Sequence, residues 1–148
     1  MEIFVASEQD VPVDTGRVVD LARHALASEN VDDEAELSVL FVTADHIRRL
    51  NQRFADNDYA TDVLAFPMTE DEDEGDGPYM LGDVVICPEV ARANAHRLGH
   101  SLQHEIDTLL VHGILHLLGY DHQGVDDKQR MDARLSTLLT SFRTGTRA

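Results

Sequence analysis

Ser101-Leu-Gln-His-Glu-Ile-Asp-Thr-Leu-Leu-Val-His-Gly-Ile-Leu-His-Leu-Leu-Gly-Tyr-Asp-His122 decides how this chain is built. Leu102 to Leu118 contains no proline, Ser101 is a suitable N-cap, and Gly119 supplies the left-handed residue that ends a helix. Leu102, Ile106, Leu109, Leu110, Ile114 and Leu117 spread over an apolar arc wider than a surface helix needs. The segment therefore reads as a mostly buried helix. His112 and His116 share the remaining strip with Ser101, Glu105 and Thr108, and that strip must open into a cleft. Gly113, beside His112, either allows close packing of the backbone or is an incidental glycine costing about 1 kcal/mol relative to alanine.

His112 and His116 are four residues apart and so lie one turn from each other on one face. Past Gly119 the chain folds back and presents His122 to the same point. Three neutral imidazoles converging this way suit a divalent transition metal, with zinc first. A fourth position left open is the mark of a catalytic rather than a structural site. The expected cofactor is one Zn²⁺ per chain, on His112, His116 and His122. His24, His46, His96, His100 and His104 are not included. His104, eight residues before His112, stands about 80° away around the helix.

Working outward, Glu2 to Ala6 reads as a strand and Asp14 to Glu29 as a helix with Val18, Leu21, Ala22 and Leu26 inward. Leu37 to Val42 is a second strand, followed by a helix capped by Thr43 or Asp45 and running to about Phe54. Asp62 to Phe66 is a third strand, halted by Pro67, and Leu81 to Cys87 a fourth. Thr69 to Pro78 holds a run of acids that reads as an exposed, solvated loop. Pro88 opens a helix ending near Gly99, and Asp126 with Gln129 is placed to cap a last helix to about Phe142. The expected fold is α+β or mixed α/β: a four-stranded sheet packed with helices, zincin-like, in a single domain over residues 1–148.

The 148 residues suffice for a real core. The N-terminus has neither a basic region nor a long apolar run, so no signal peptide or membrane span is expected, and the cytoplasm is the expected compartment. Cys87 is the single cysteine, which excludes an internal disulfide; it reads as a buried small hydrophobe. A net charge of −16, from 28 acids against 12 bases, argues against a broad nucleic-acid-binding face but not against a local cleft around a cation.

Three segments resemble one family in the right order: Ala60-Thr-Asp-Val-Leu-Ala-Phe-Pro67, Leu81-Gly-Asp-Val-Val-Ile-Cys-Pro88 and His112-Gly-Ile-Leu-His-Leu-Leu-Gly-Tyr-Asp-His122. Together they are similar to the YbeY family of bacterial metalloendoribonucleases, from about Leu37 to the C-terminal helix. The resemblance implies a zinc-dependent, single-strand-specific endoribonuclease acting in small-subunit rRNA 3′-end maturation and ribosome quality control. Its partners are then single-stranded rRNA and the small subunit or its assembly factors, and its metal ligands fall on His112, His116 and His122. Two departures stand out. The basic residue many members carry after the aromatic is Ala55 here, and the usual proline before Thr61 is Ala60. Arg53, on the other side of Phe54, is the candidate substitute for contacting a substrate phosphate, and reads equally as an exposed cation at a helix end.

For RNA, a metal-bound water with a pKa near 7 or the substrate's own 2′-hydroxyl is the expected nucleophile, and no side chain is assigned as general base. Asp121 reads either as a support for a ligand histidine or as a turn aspartate, and Thr61 and Asp62 either as cleft residues or as the start of a strand. A zinc peptidase is the first rival, weakened because Gly113 stands where His-Glu-x-x-His has its glutamate. A non-catalytic ribosome-assembly factor with a structural metal is the second.

Overall fold

The structure, a computed structural model, describes residues 1–68 and 77–145; the acidic run from Glu70 to Asp76 lies outside them. Among the described residues the chain forms four strands and five helices. They are β1 (Glu2–Glu8), α1 (Thr15–Ser28), β2 (Ala35–Val42), α2 (Ala44–Ala55), β3 (Val63–Pro67), β4 (Tyr79–Ile86), α3 (Pro88–Leu98), α4 (Leu102–Leu117) and α5 (Val125–Thr144), with β3 and β4 consecutive and the last three elements all helices. The strands form one mixed sheet in the order β1-β2-β4-β3. β1 and β4 both run parallel to β2, while β3 pairs antiparallel with β4 at one edge.

Period-two patterning explains the two faces of this sheet. Leu37, Val39 and Phe41 of β2, with Val84 and Ile86 of β4, join Ile106, Leu110, Val111, Ile114 and Leu115 of α4 and the inward residues of α1 and α5 in the main core. Burying each of the larger α4 side chains stabilises the fold by about 1.5–3 kcal/mol. The opposite face packs Val85 with Ile47 of α2, Val42 and Cys87. So α4 is the central helix, as its wide apolar arc requires.

Two glycines let backbones close in on the face that carries α4. A Cβ on Gly113 would stand 2.7 Å from Cγ1 of Val84, so the helix seats on β4 only with a glycine there. Gly82, at φ 148, lies beside the bulge that shifts the β2–β4 register, and a Cβ there would meet the Phe66 carbonyl oxygen at 2.3 Å and Leu117 at 2.9 Å.

Several element boundaries differ from the sequence reading. β1 continues to Glu8 because its last residues pair with β2 up to Val42, and β2 begins already at Ala35 because Tyr79 of β4 pairs there. Thr43 caps α2, its hydroxyl accepting from the His46 N–H. At α5 the N-cap is Gly124 rather than Asp126, which lies in the first turn, where its charge suits the positive end of the helix. No described helix is long and apolar enough to cross a membrane.

Candidate functional site

Ser101 opens α4 by accepting the His104 N–H at 3.0 Å. The other end closes on Gly119, at φ 103: the Tyr120 N–H reaches the Leu115 carbonyl and the Gly119 N–H that of His116, both at 3.1 Å. This reversal returns the chain toward the last turn of α4 and puts His122 beside His112, their Nε2 atoms 3.3 Å apart. The rings of His112, His116 and His122 stand with centroids 4.9–6.0 Å apart and planes inclined by 21–26°. The three histidines picked out by spacing are therefore brought together.

Each ring has a distinct setting. His116 and His112 are half-buried, and His122 is exposed on the turn. His116 Nδ1–H donates to the Tyr120 carbonyl at 3.0 Å; a carbonyl only accepts, so neutral His116 carries its proton on Nδ1 and leaves the Nε2 lone pair free. Burial pushes the His112 pKa down, and the neighbouring His122 and His116 push it further, while Asp62 and Asp132 pull the other way. A neutral His112 at pH 7 follows, which is the form that binds metals.

A tetrahedral ion with ligand nitrogens at 2.0–2.1 Å holds them about 3.4 Å apart. The His112–His122 separation of 3.3 Å matches that spacing, and the tautomer of His116 presents the correct nitrogen. The donor set thus has the right chemistry, yet the near-parallel rings are not closed into a finished shell: among the described residues, no group of three or more His, Cys, Asp or Glu already stands in metal-holding geometry.

The surroundings separate the remaining candidates. Asp121 is a turn aspartate, its Oδ1 accepting the Gln123 N–H at 3.0 Å. The support for His116 comes instead from Tyr120, whose hydroxyl donates to Glu29 Oε1 at 2.8 Å; burial and the Glu29 carboxylate push this phenol's pKa up. Asp62 precedes β3, its carbonyl accepting the Cys87 N–H and its Oδ2 the Asn94 amide at 3.1 Å. Its negative charge opposes the lowering of the His112 pKa. Arg53 is exposed in the last turn of α2, its guanidinium 5.3 Å from the ring centroid of Phe54, which in turn meets Phe66 edge-on. Among the described residues, no hydrogen bond or ion pair joins Arg53 to the histidines.

Asp107 escaped the sequence reading. It is 2% exposed, and its carboxylate takes Arg17 of α1 at 3.0 and 2.7 Å, Gln103 at 2.9 Å and Arg143 of α5 at 3.4 Å. An acid next to Ile106 in so apolar a helix was the available signal.

A family model described as Endoribonuclease YbeY matches residues 4–143. The chain is 46% identical to an Endoribonuclease YbeY of Salinispora tropica, covering 97% of this chain and 98% of that one. It is 47% identical to the protein of the same name from Thermobifida fusca, over 97% and 95% of the two chains. Among solved structures, TM1509 of Thermotoga maritima, determined in solution, superposes with a TM-score of 0.62 at 25% identity, covering 97% of this chain and 93% of the other.

Proposed function

This chain belongs to the YbeY family of endoribonucleases, and from that premise we propose that it is a zinc-dependent, single-strand-specific endoribonuclease that matures the 3′ end of small-subunit rRNA and takes part in ribosome quality control in the cytoplasm. The observation that carries the proposal is the cluster of His112, His116 and His122, placed by one buried helix and the reversal at Gly119. These three side chains would hold the ion, which supplies Lewis acidity toward a phosphoryl oxygen when bound. His116 is held by the Tyr120 carbonyl so that Nε2 is available, and His112 is kept neutral by burial. Gly113 brings no carboxylate to the site, which disfavours the peptidase reading.

Metal analysis combined with cleavage assays tests the proposal. Purified protein should contain one zinc per chain and cut single-stranded RNA internally, leaving duplex RNA and casein whole. Zinc affinity should fall as the pH is lowered, because the metal and protons compete for the same ring nitrogens. Casein cleavage with intact RNA would establish the peptidase instead. Tightly held zinc with no cleavage of either would establish the non-catalytic assembly factor.

A further inference from the structure

Tyr120 sits at the hinge of the candidate site. It is the residue after the helix-ending glycine, its carbonyl holds His116 Nδ1 at 3.0 Å, and it precedes by two positions the exposed His122. The turn around it is mostly solvent-facing, with Gly119, His122, Gln123 and Gly124 all exposed. Such a turn, left to itself, samples many conformations. What ties Tyr120 down comes from far away in sequence. Its hydroxyl donates at 2.8 Å to one oxygen of Glu29, the residue ending α1, and the other oxygen of Glu29 takes Arg134 of α5 at 2.7 Å from Nε and 2.5 Å from Nη2. The Glu29 carboxylate is only 11% exposed, and both of its oxygens are committed.

We infer that Glu29 is a positioning residue for the histidine cluster: it clamps Tyr120, and through Tyr120 it sets both the carbonyl that orients His116 and the turn that delivers His122. The inference rests on the metal reading of the three histidines. Glu29 touches neither a histidine nor any expected substrate. It acts by reducing the conformations from which the ligand nitrogens must converge, a contribution that outer groups at metal sites commonly make at the level of 10–100-fold in affinity.

Zinc affinity, measured on the full chain by competition with a chromophoric chelator, tests this. The parent should bind one zinc, and Tyr120→Phe and Glu29→Ala should each weaken binding about tenfold or more. The double variant should bind no worse than the weaker single variant, because both substitutions cut the same link. In the metal-free parent at pH 8, the ¹⁵N spectrum should show His116 protonated at Nδ1, and in Tyr120→Phe a mixture of tautomers. Unfolding midpoints separate this from a merely structural role, which would lower stability and leave the affinity of the folded protein unchanged. If Glu29→Ala does not fold, Tyr120→Phe, which keeps the ring, carries the test. A parent that binds no zinc overturns the metal reading itself. A zinc-binding parent whose variants bind equally well, or a double variant with multiplied losses, overturns the inference about Glu29.

Discussion

Two polar stations on α4 differ in how completely they are satisfied. Asp107 faces α1 and α5, is 2% exposed, and is surrounded by Arg17, Gln103 and Arg143. His112 and His116 face the other way: the far nitrogen of His116 donates to a carbonyl, and Nε2 of His112 meets, among the described residues, only Nε2 of His122. A buried charge whose hydrogen bonds are all supplied by the protein braces helices together. Ring nitrogens that converge on one another, rather than on a carboxylate or amide of the protein, are prepared for something from outside. On one helix, then, saturation marks structure and its absence marks function.

The most severe way to break this contrast is to remove a histidine. His116→Ala should lower cleavage of single-stranded RNA by about a thousandfold, some 4 kcal/mol of transition-state stabilisation, with the unfolding free energy within about 1 kcal/mol of the parent. Rates on a defined oligonucleotide and a urea titration provide the two readings. Undiminished cutting would assign the activity to a contaminant, and a large stability loss would make the histidines structural after all.

Asp107→Ala should do the reverse. Removing one partner of a buried ion pair costs 3–5 kcal/mol, and about 3 is expected here because Arg17 and Arg143 are about a third exposed and regain water. Zinc affinity of the folded variant should match the parent. The same brace sets a pH dependence. Burial pushes the Asp107 carboxyl upward, but hydrogen bonds from Arg17 and Gln103 and the charge of Arg17 outweigh it and hold the group below the usual carboxylate range. A depressed pKa contributes stability that is complete above the unfolded value near 3.9 and disappears as pH falls through the lower folded value. The stability difference between the parent and Asp107→Asn should accordingly be level from pH 7 to about 5 and narrow in stronger acid. A difference that stayed level throughout would show that the ion pair is not its source.

Which of these stations could be read in the sequence follows from how local their causes are. The α4 periodicity, the Ser101 cap, the Gly119 stop and the clustering of His122 with His112 all depend on neighbours within a few turns. Gly113 was legible as a place of close packing, but its partner Val84 was not. Asp107 and Glu29 were missed because their partners are distant: Arg17 is 90 residues from Asp107, and Tyr120 is 91 from Glu29. The strand order β1-β2-β4-β3 was equally hidden, since parallel pairing leaves no short-range signal such as a hairpin turn. Arg53 stands out in the sequence only by its nearness to Ala55, and the placing of its guanidinium over Phe54 depends on the fold.

Packing between the stations gives an intermediate effect. Gly113→Ala inserts a methyl 2.7 Å from Val84 Cγ1, and overpacking of this kind costs about 1–3 kcal/mol. Because His112 is the preceding residue, any shift of α4 away from β4 also moves the histidine cluster. Gly113→Ala combined with Val84→Ala should recover zinc affinity more fully than stability, since the second change removes the clash but deletes buried methyls. Equal recovery of both would mean that the spacing of α4 over β4 does not set the histidine geometry.

Arg53 gives the smallest expected effect, and it tests whether the contrast extends beyond α4. It is neither braced like Asp107 nor gathered like the histidines; it is exposed, with its guanidinium over Phe54. In a chain of net charge −16 few phosphate contacts are available, so RNA binding should depend only weakly on salt. If Arg53 contacts one phosphate, Arg53→Ala should weaken RNA binding and reduce the slope of log K against log salt by about 0.7, with zinc content unchanged. Ala55→Arg should steepen the slope by a similar amount. Should Arg53→Ala bind and cleave like the parent while Ala55→Arg brings no gain, this helix end has no hold on the substrate. The RNA would then be held by a partner of the chain, with the histidine cluster supplying the chemistry.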